Sequence, residues 1–139
     1  MIYALHEALS LIVEEGLEAR YQRHLRNGAA LQAGLEAMGL QLFAQKGHRL
    51  STLTSVRVPQ GIDELKIRQR LLNEFSIEIG GGLGQLKGQV WRIGLMGYSS
   101  SRENVLLFLS VLEKLLTEAG YKMSAGAGIA AAIQSLQKK

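Results

Sequence analysis

The chain contains no cysteine. A disulfide framework, a thiolate nucleophile and a cysteine-ligated metal are therefore excluded. Its three histidines, His6, His24 and His48, stand far apart without metal-ligand spacing, so no metal site is expected. His24 lies within an apolar stripe and reads as a packed residue. Aromatic residues make up only 6% of the chain, and no basic segment interleaves them as a single-strand nucleic-acid binder would require. The longest strongly apolar stretch, Val105 to Leu112, is interrupted by Ser110, well short of the roughly 20 residues that span a bilayer. No membrane partner is expected. Neither a basic leader nor a small-residue cleavage site follows Met1, which argues against a secretory signal and makes the cytoplasm the expected compartment.

What is present suits a globular domain. With 139 residues, of which 47% are hydrophobic and 20% charged, the chain can build one sizeable core, with or without an extended arm. Sixteen Lys and Arg against twelve Asp and Glu give a net charge of +4. The sequence pI near 9.6 leaves an anionic partner as a minor reading. The charges are spread along the chain, however, and only Arg20, Arg23 and Arg26 form a group at helical spacing, which reads first as a solvated helix face. No nucleic-acid partner is expected.

The periodicity predicts an α+β fold: a long N-terminal helical arm over residues 1–38, then a small α+β domain over 39–139, with a mostly antiparallel sheet covered by helices on one face. Leu5, Leu9, Ile12 and Val13 form an apolar stripe before an expected break near Gly16. Leu17, Tyr21, His24, Gly28, Leu31, Leu35 and Met38 continue it to a glycine stop at Gly39. Gln41 to Ala44 reads as a short edge strand, and Leu50 to Val58 as a strand ended by Pro59. Asp63, the only aspartate, is placed to cap a helix running to about Phe75. Ser76 to Ile79 reads as a short strand, and Gly80 to Gly88 as a glycine-rich loop. Val90 to Met96 is a second strand. Ser100 with Glu103 forms a capping-box pattern opening a helix to about Ala119, and an Ala-rich segment after Ser124 reads as a final short helix.

The most informative stretch is Val90-Trp91-Arg92-Ile93-Gly94-Leu95-Met96. Strand alternation sends Trp91, Ile93 and Leu95 to the core and Arg92 to the opposite face, with Gly94 leaving space beside it. A guanidinium on a rigid strand offers a planar fork of donors that matches a carboxylate in two parallel hydrogen bonds, so its natural guest is a small acid. The plain alternative is an ion pair with Glu78 on a neighbouring strand or a solvated arginine. The glycines at 80, 81, 82 and 84 lead into a strand rather than a helix, and no Gly-Lys-Ser/Thr ending follows. They read as a connection permitting close backbone approach, not as a phosphate loop. No acid, base or nucleophile set is complete, and no catalytic residue is assigned.

Taken together, LHEALSLIVEEGLEARYQRH, LEAMGLQLF, VRVPQGID, FSIEIGGGLGQLKGQVWRIGLMGYSSSRENV and GAGIAAA resemble the C-terminal part of the alanine-glyoxylate and serine-pyruvate aminotransferases. These are class V, fold-type I enzymes that use pyridoxal phosphate. The resemblance covers nearly the whole chain and is sharpest in Gly-Gly-Leu-Gly at 81–84, Arg-Ile-Gly-Leu-Met-Gly at 92–97 and Arg-Glu-Asn at 102–104. It implies that Arg92 grips the α-carboxylate of an amino or keto acid substrate. It also implies that the chain works with a large domain ahead of it, which supplies the cofactor lysine, the acidic partner of the pyridine nitrogen and the phosphate-binding residues. None of the seven lysines (46, 66, 87, 114, 122, 138 and 139) stands in surroundings like those of the cofactor lysine, so no cofactor-binding residue is assigned and the chain alone is expected to be inactive. The arm would then pack on the absent domain or, in the isolated chain, form a homodimer or fold back. A stand-alone binding or assembly module that reuses the fold is the alternative.

Overall fold

A computed structural model describes residues 1–138. Among the described residues, five helices combine with a small three-stranded antiparallel sheet, so the α+β architecture is as predicted. Helix α1 (Ile2–Glu15) and helix α2 (Leu17–Ala37) are separated at Gly16, whose φ of +82° lies in the left-handed region that glycine tolerates best. No residue of α1 is buried. The second half of α2, by contrast, is built into the core: Ala30, Leu31, Leu35 and Met38 are all at most 1% exposed. Gly39, again left-handed, ends this helix, and the Leu40 NH bonds back to the Leu35 carbonyl at 3.1 Å. Among the described residues, no helix is long and apolar enough to cross a membrane.

Strand β1 (Leu53–Arg57) pairs with β3 (Val90–Gly94), which also pairs with the two-residue β2 (Gly80–Gly81). The register sets Ser55 and Gly80 on either side of Arg92, and Val56 and Gly81 on either side of Trp91. The inner face carries Val56, Trp91 and Ile93 into the core, all at most 4% exposed. Helix α3 (Glu64–Phe75) starts as predicted, with the Asp63 side chain accepting from the Lys66 NH at 3.0 Å. Helix α4 (Arg102–Glu118) buries Val105, Leu109, Leu112 and Leu116, an i, i+4, i+7, i+11 stripe. Helix α5 (Ala127–Gln137) crosses α2 where glycine faces glycine. A Cβ at Gly34 would lie 2.9 Å from the Gly128 carbonyl oxygen, so the close approach depends on small residues.

Three local expectations are corrected. The strand expected at Ser76 to Ile79 does not form, because α3 ends in a left-handed Ser76 (φ 55°) and the Ile77 NH turns back to the Leu71 carbonyl. Pairing begins only at Gly80, inside the segment read as loop. The strand expected at Gln41 to Ala44 is reduced to a single bridge from Leu42 to Val56. The cap of α4 is Ser101, accepting from the Asn104 NH at 3.1 Å, and not Ser100, which is turned inward and 1% exposed.

Close approach also occurs at Gly28 in α2, where a Cβ would meet the Ser51 carbonyl oxygen at 2.4 Å. That contact is with backbone and cannot be relieved by a rotamer change. We expect Gly28→Ala to destabilise the fold by about 1–3 kcal/mol in denaturant unfolding, although alanine is intrinsically the better helix former.

Candidate functional site

Arg92 leaves β3 on the face opposite Trp91, as the alternation requires, and is half-buried. Its guanidinium lies along the backbone of β2. The Nε–H donates to the Gly81 carbonyl at 2.8 Å, and Nη2 lies 3.2 Å from where a Cβ at Gly80 would stand. On the other side of the same ribbon a Cβ at Gly81 would meet the Glu64 Oε1 at 2.8 Å. The two glycines are thus needed because side chains crowd β2 from both faces. Close backbone approach was expected here, but the groups that approach are Arg92 and the buried Glu64, which pairs with Arg68 one helical turn away.

This arrangement commits one edge of the Arg92 fork and leaves the rest. Among the described residues no carboxylate lies within ion-pairing distance of Arg92, and its Nη1 and Nη2 donate to no described group. The alternative pairing with Glu78 is not made. The positions paired directly with Arg92 are Ser55 and Gly80, and the exposed Gly94 follows it on the same face, so no large side chain is paired directly with Arg92. A cavity of about 230 Å³ reaches Gly94 from the edge of β3, between exposed Glu78 and Asn104 and the core residues Ile93 and Phe108, but Arg92 is not among its lining residues.

The turn that follows β3 is held by α2. Gly97 (φ +56°) donates its NH to His24 Nε2 at 3.0 Å and accepts from Arg23 Nη1 at 2.9 Å. The Ser100 carbonyl accepts from Arg23 Nη1 at 2.6 Å and from Asn27 Nδ2 at 2.9 Å. His24 Nδ1 lies 2.7 Å from the Arg20 carbonyl, so the ring is assigned with its proton on Nδ1 and its lone pair on Nε2 toward Gly97. His24 is a packed residue, as read from the stripe. Arg20 and Arg23, read as a solvated face, instead converge on Glu15 of α1: Arg23 Nη2 donates to Oε2 at 2.8 Å and Arg20 Nη1 to the same oxygen at 3.0 Å. Their side chains are only 23% and 27% exposed.

The described residues do not fit a pyridoxal-phosphate site. Each of the six described lysines is exposed, and none stands in a strand of the sheet.

No family model matches the chain. It is 46% identical over 133 residues, 96% of its own length, to a (S)-ureidoglycine–glyoxylate transaminase of Bacillus subtilis, of which it covers 32%. It is 45% identical over 116 residues, 83% of its length, to an alanine–glyoxylate aminotransferase of Callithrix jacchus, of which it covers 28%. The crystal structure of the ureidoglycine–glyoxylate aminotransferase from Bacillus subtilis superposes with a TM-score of 0.93 at 44% identity, covering 98% of this chain and 35% of that one. The chain thus spans about a third of the length of the relatives it matches.

The Glu15 carboxyl is held at about 2, below its ordinary 4.5, first by the hydrogen bond from Arg23. A depressed carboxylate contributes stability above its unfolded value and loses it as the pH falls through the folded one. The α1–α2 joint is therefore expected to loosen between about pH 4.5 and 2. A carboxyl carbon titration by NMR should place the Glu15 midpoint near the bottom of that window, and a midpoint near 4.5 contradicts the arrangement.

Proposed function

The chain has the sequence and the fold of the C-terminal small domain of the class V aminotransferases, and from that premise we propose that it grips the substrate carboxylate of a pyridoxal-phosphate transaminase through Arg92. The observation that carries this reading is the uncommitted edge of the Arg92 fork: two terminal nitrogens on a rigid strand, with no carboxylate paired to them among the described residues. A planar pair of donors suits the two oxygens of an amino or keto acid, and holding that group fixes where the reacting carbon lies. Pyridoxal phosphate, bound by a large domain of the kind the relatives' greater length accommodates, supplies the electron sink. The reaction proposed for the assembled enzyme moves an amino group from alanine or serine to glyoxylate or pyruvate, in the cytoplasm. The relatives' use of glyoxylate supports the acceptor class.

Residues 1–38 are proposed to connect the two domains. The exposed α1 residues Leu5, Leu9 and Val13 would then lie against the large domain or, in the chain alone, against a second copy. A non-catalytic acid-binding module is the second reading. It is favoured by the exposed lysines and would use the same arginine.

Supplying the remaining two thirds of the enzyme as a separate chain should restore amino transfer. In that assembly, Arg92→Gln is expected to lower kcat/KM by about 10²–10⁴-fold, as two charge-assisted bonds of about 1.5–3 kcal/mol each are lost. An unchanged kcat/KM would remove Arg92 from the site. A cofactor-loaded but inactive assembly, with pyruvate still bound by this chain, favours the module. Light scattering of the chain alone should give a mass above the 15.2 kDa of one copy. A monomer at all concentrations contradicts self-association through α1.

A further inference from the structure

The side chains that hold the exit of β3 are more elaborate than a turn needs. Both backbone groups of Gly97 are taken by α2, its NH by His24 and its carbonyl by Arg23. Three residues later Arg23 and Asn27 share the Ser100 carbonyl. The same Arg23 guanidinium turns its other edge to Glu15, so one planar group touches α1, α2 and the segment leaving the Arg92 strand. His24 and Asn27 are 7% and 5% exposed, and the His24 ring is oriented from behind by the Arg20 carbonyl. Apolar packing could bury this turn, but it could not fix the direction of two particular peptide groups. Hydrogen bonds from rigid planar groups can.

We infer that Arg23 and His24 are positioning residues for the Arg92 site, and that Arg23 ties that site to the arm through Glu15. The inference rests on the reading of Arg92 as the carboxylate anchor. Arg92 lies five positions before Gly97, which opens the turn at the end of the extended segment, and the Leu95 NH, donating to the Thr52 carbonyl at 2.8 Å, carries the ladder to within two residues of Gly97. A displacement of the Gly97 peptide therefore reaches Arg92 through a stiff backbone. A two-point carboxylate contact loses strength when either partner moves by about 1 Å. The break at Gly16 sits between Glu15 and the rest of the cluster, so a change in the direction of α1 would reach Gly97 through Arg23. The arm and the carboxylate grip are mechanically joined, although no residue of α1 enters the core.

The test uses the full 139-residue chain with isotope-labelled amide, arginine and histidine nitrogens. Glu15→Gln keeps the shape of the side chain, lies outside the core and removes the charge that Arg23 holds. It is expected to move the Gly97 amide and the Arg92 Nε–H resonances while the melting midpoint stays close to that of the parent. Arg23→Lys, which keeps the charge but cannot reach Glu15, Gly97 and Ser100 together, is expected to move the same two resonances further. It should also change the ring-nitrogen pattern of His24. Shifts confined to residues near 15–24, with Gly97 and Arg92 unmoved in both variants, would overturn the coupling. Titration with pyruvate separates the two ideas. A saturable Arg92 Nε–H response that weakens several-fold in the variants supports positioning, and an equal response in parent and variants overturns it. No response in the parent, together with an unchanged kcat/KM for Arg92→Gln in the assembled enzyme, overturns the carboxylate reading of Arg92, while the resonance shifts caused by Glu15→Gln still decide the coupling.

Discussion

Trp91 is completely buried, and a strand cannot bury one side chain without turning its neighbours the other way. With Ile93 and Val56 beside it on the inner face, sliding β3 by one residue would expel the indole and drive the Arg92 charge into the core. Few constraints in the chain are as expensive to violate. The direction of Arg92, the role of the two glycines in β2 and the position of the turn at Gly97 all follow from this register.

Around that strand the domain uses its polar side chains to fix backbone as well as to pair with one another. Arg92 takes the Gly81 carbonyl, Trp91 reaches toward the Glu64 carbonyl, and Arg23, His24 and Asn27 take the peptide groups of Gly97 and Ser100. Glycine stands at several of these contacts, because it lets a guanidinium or imidazole approach the main chain without a Cβ in the way. The glycine-rich character of residues 80–97 is therefore a packing requirement, consistent with a segment that leads into a strand and not into a phosphate-binding helix.

Much of the fold was legible because it is periodic. The alternation through Trp91, Ile93 and Leu95, the helical stripe from Val105 to Leu116, and the stop signals at Gly16 and Gly39 each depend on neighbours within a few positions. The errors came where a distant group intervened. Ser100 looks as good a cap as Ser101, and only the contacts from Asn27 and Arg23, more than 70 residues away in sequence, pull it inward. Ser76 could have opened a strand, but its left-handed turn sends the next amide back to the helix. At the candidate site, the outward direction of Arg92 could be read from the strand. That its Nε is held by Gly81 could not, since spacing names no partner. Arg20 and Arg23 showed the right helical interval, yet an interval does not say whether a face meets water or another helix.

The break at Gly16 divides the chain's residues by what constrains them. The buried apolar set begins at Ala30, and α1 contributes nothing to it. Substitutions among Leu5, Leu9 and Val13 would pass unnoticed in a screen that reads only whether the domain folds. Their apolar character thus answers to no contact in the core of this domain, and the fourteen-residue helix can drift in sequence without disturbing that core.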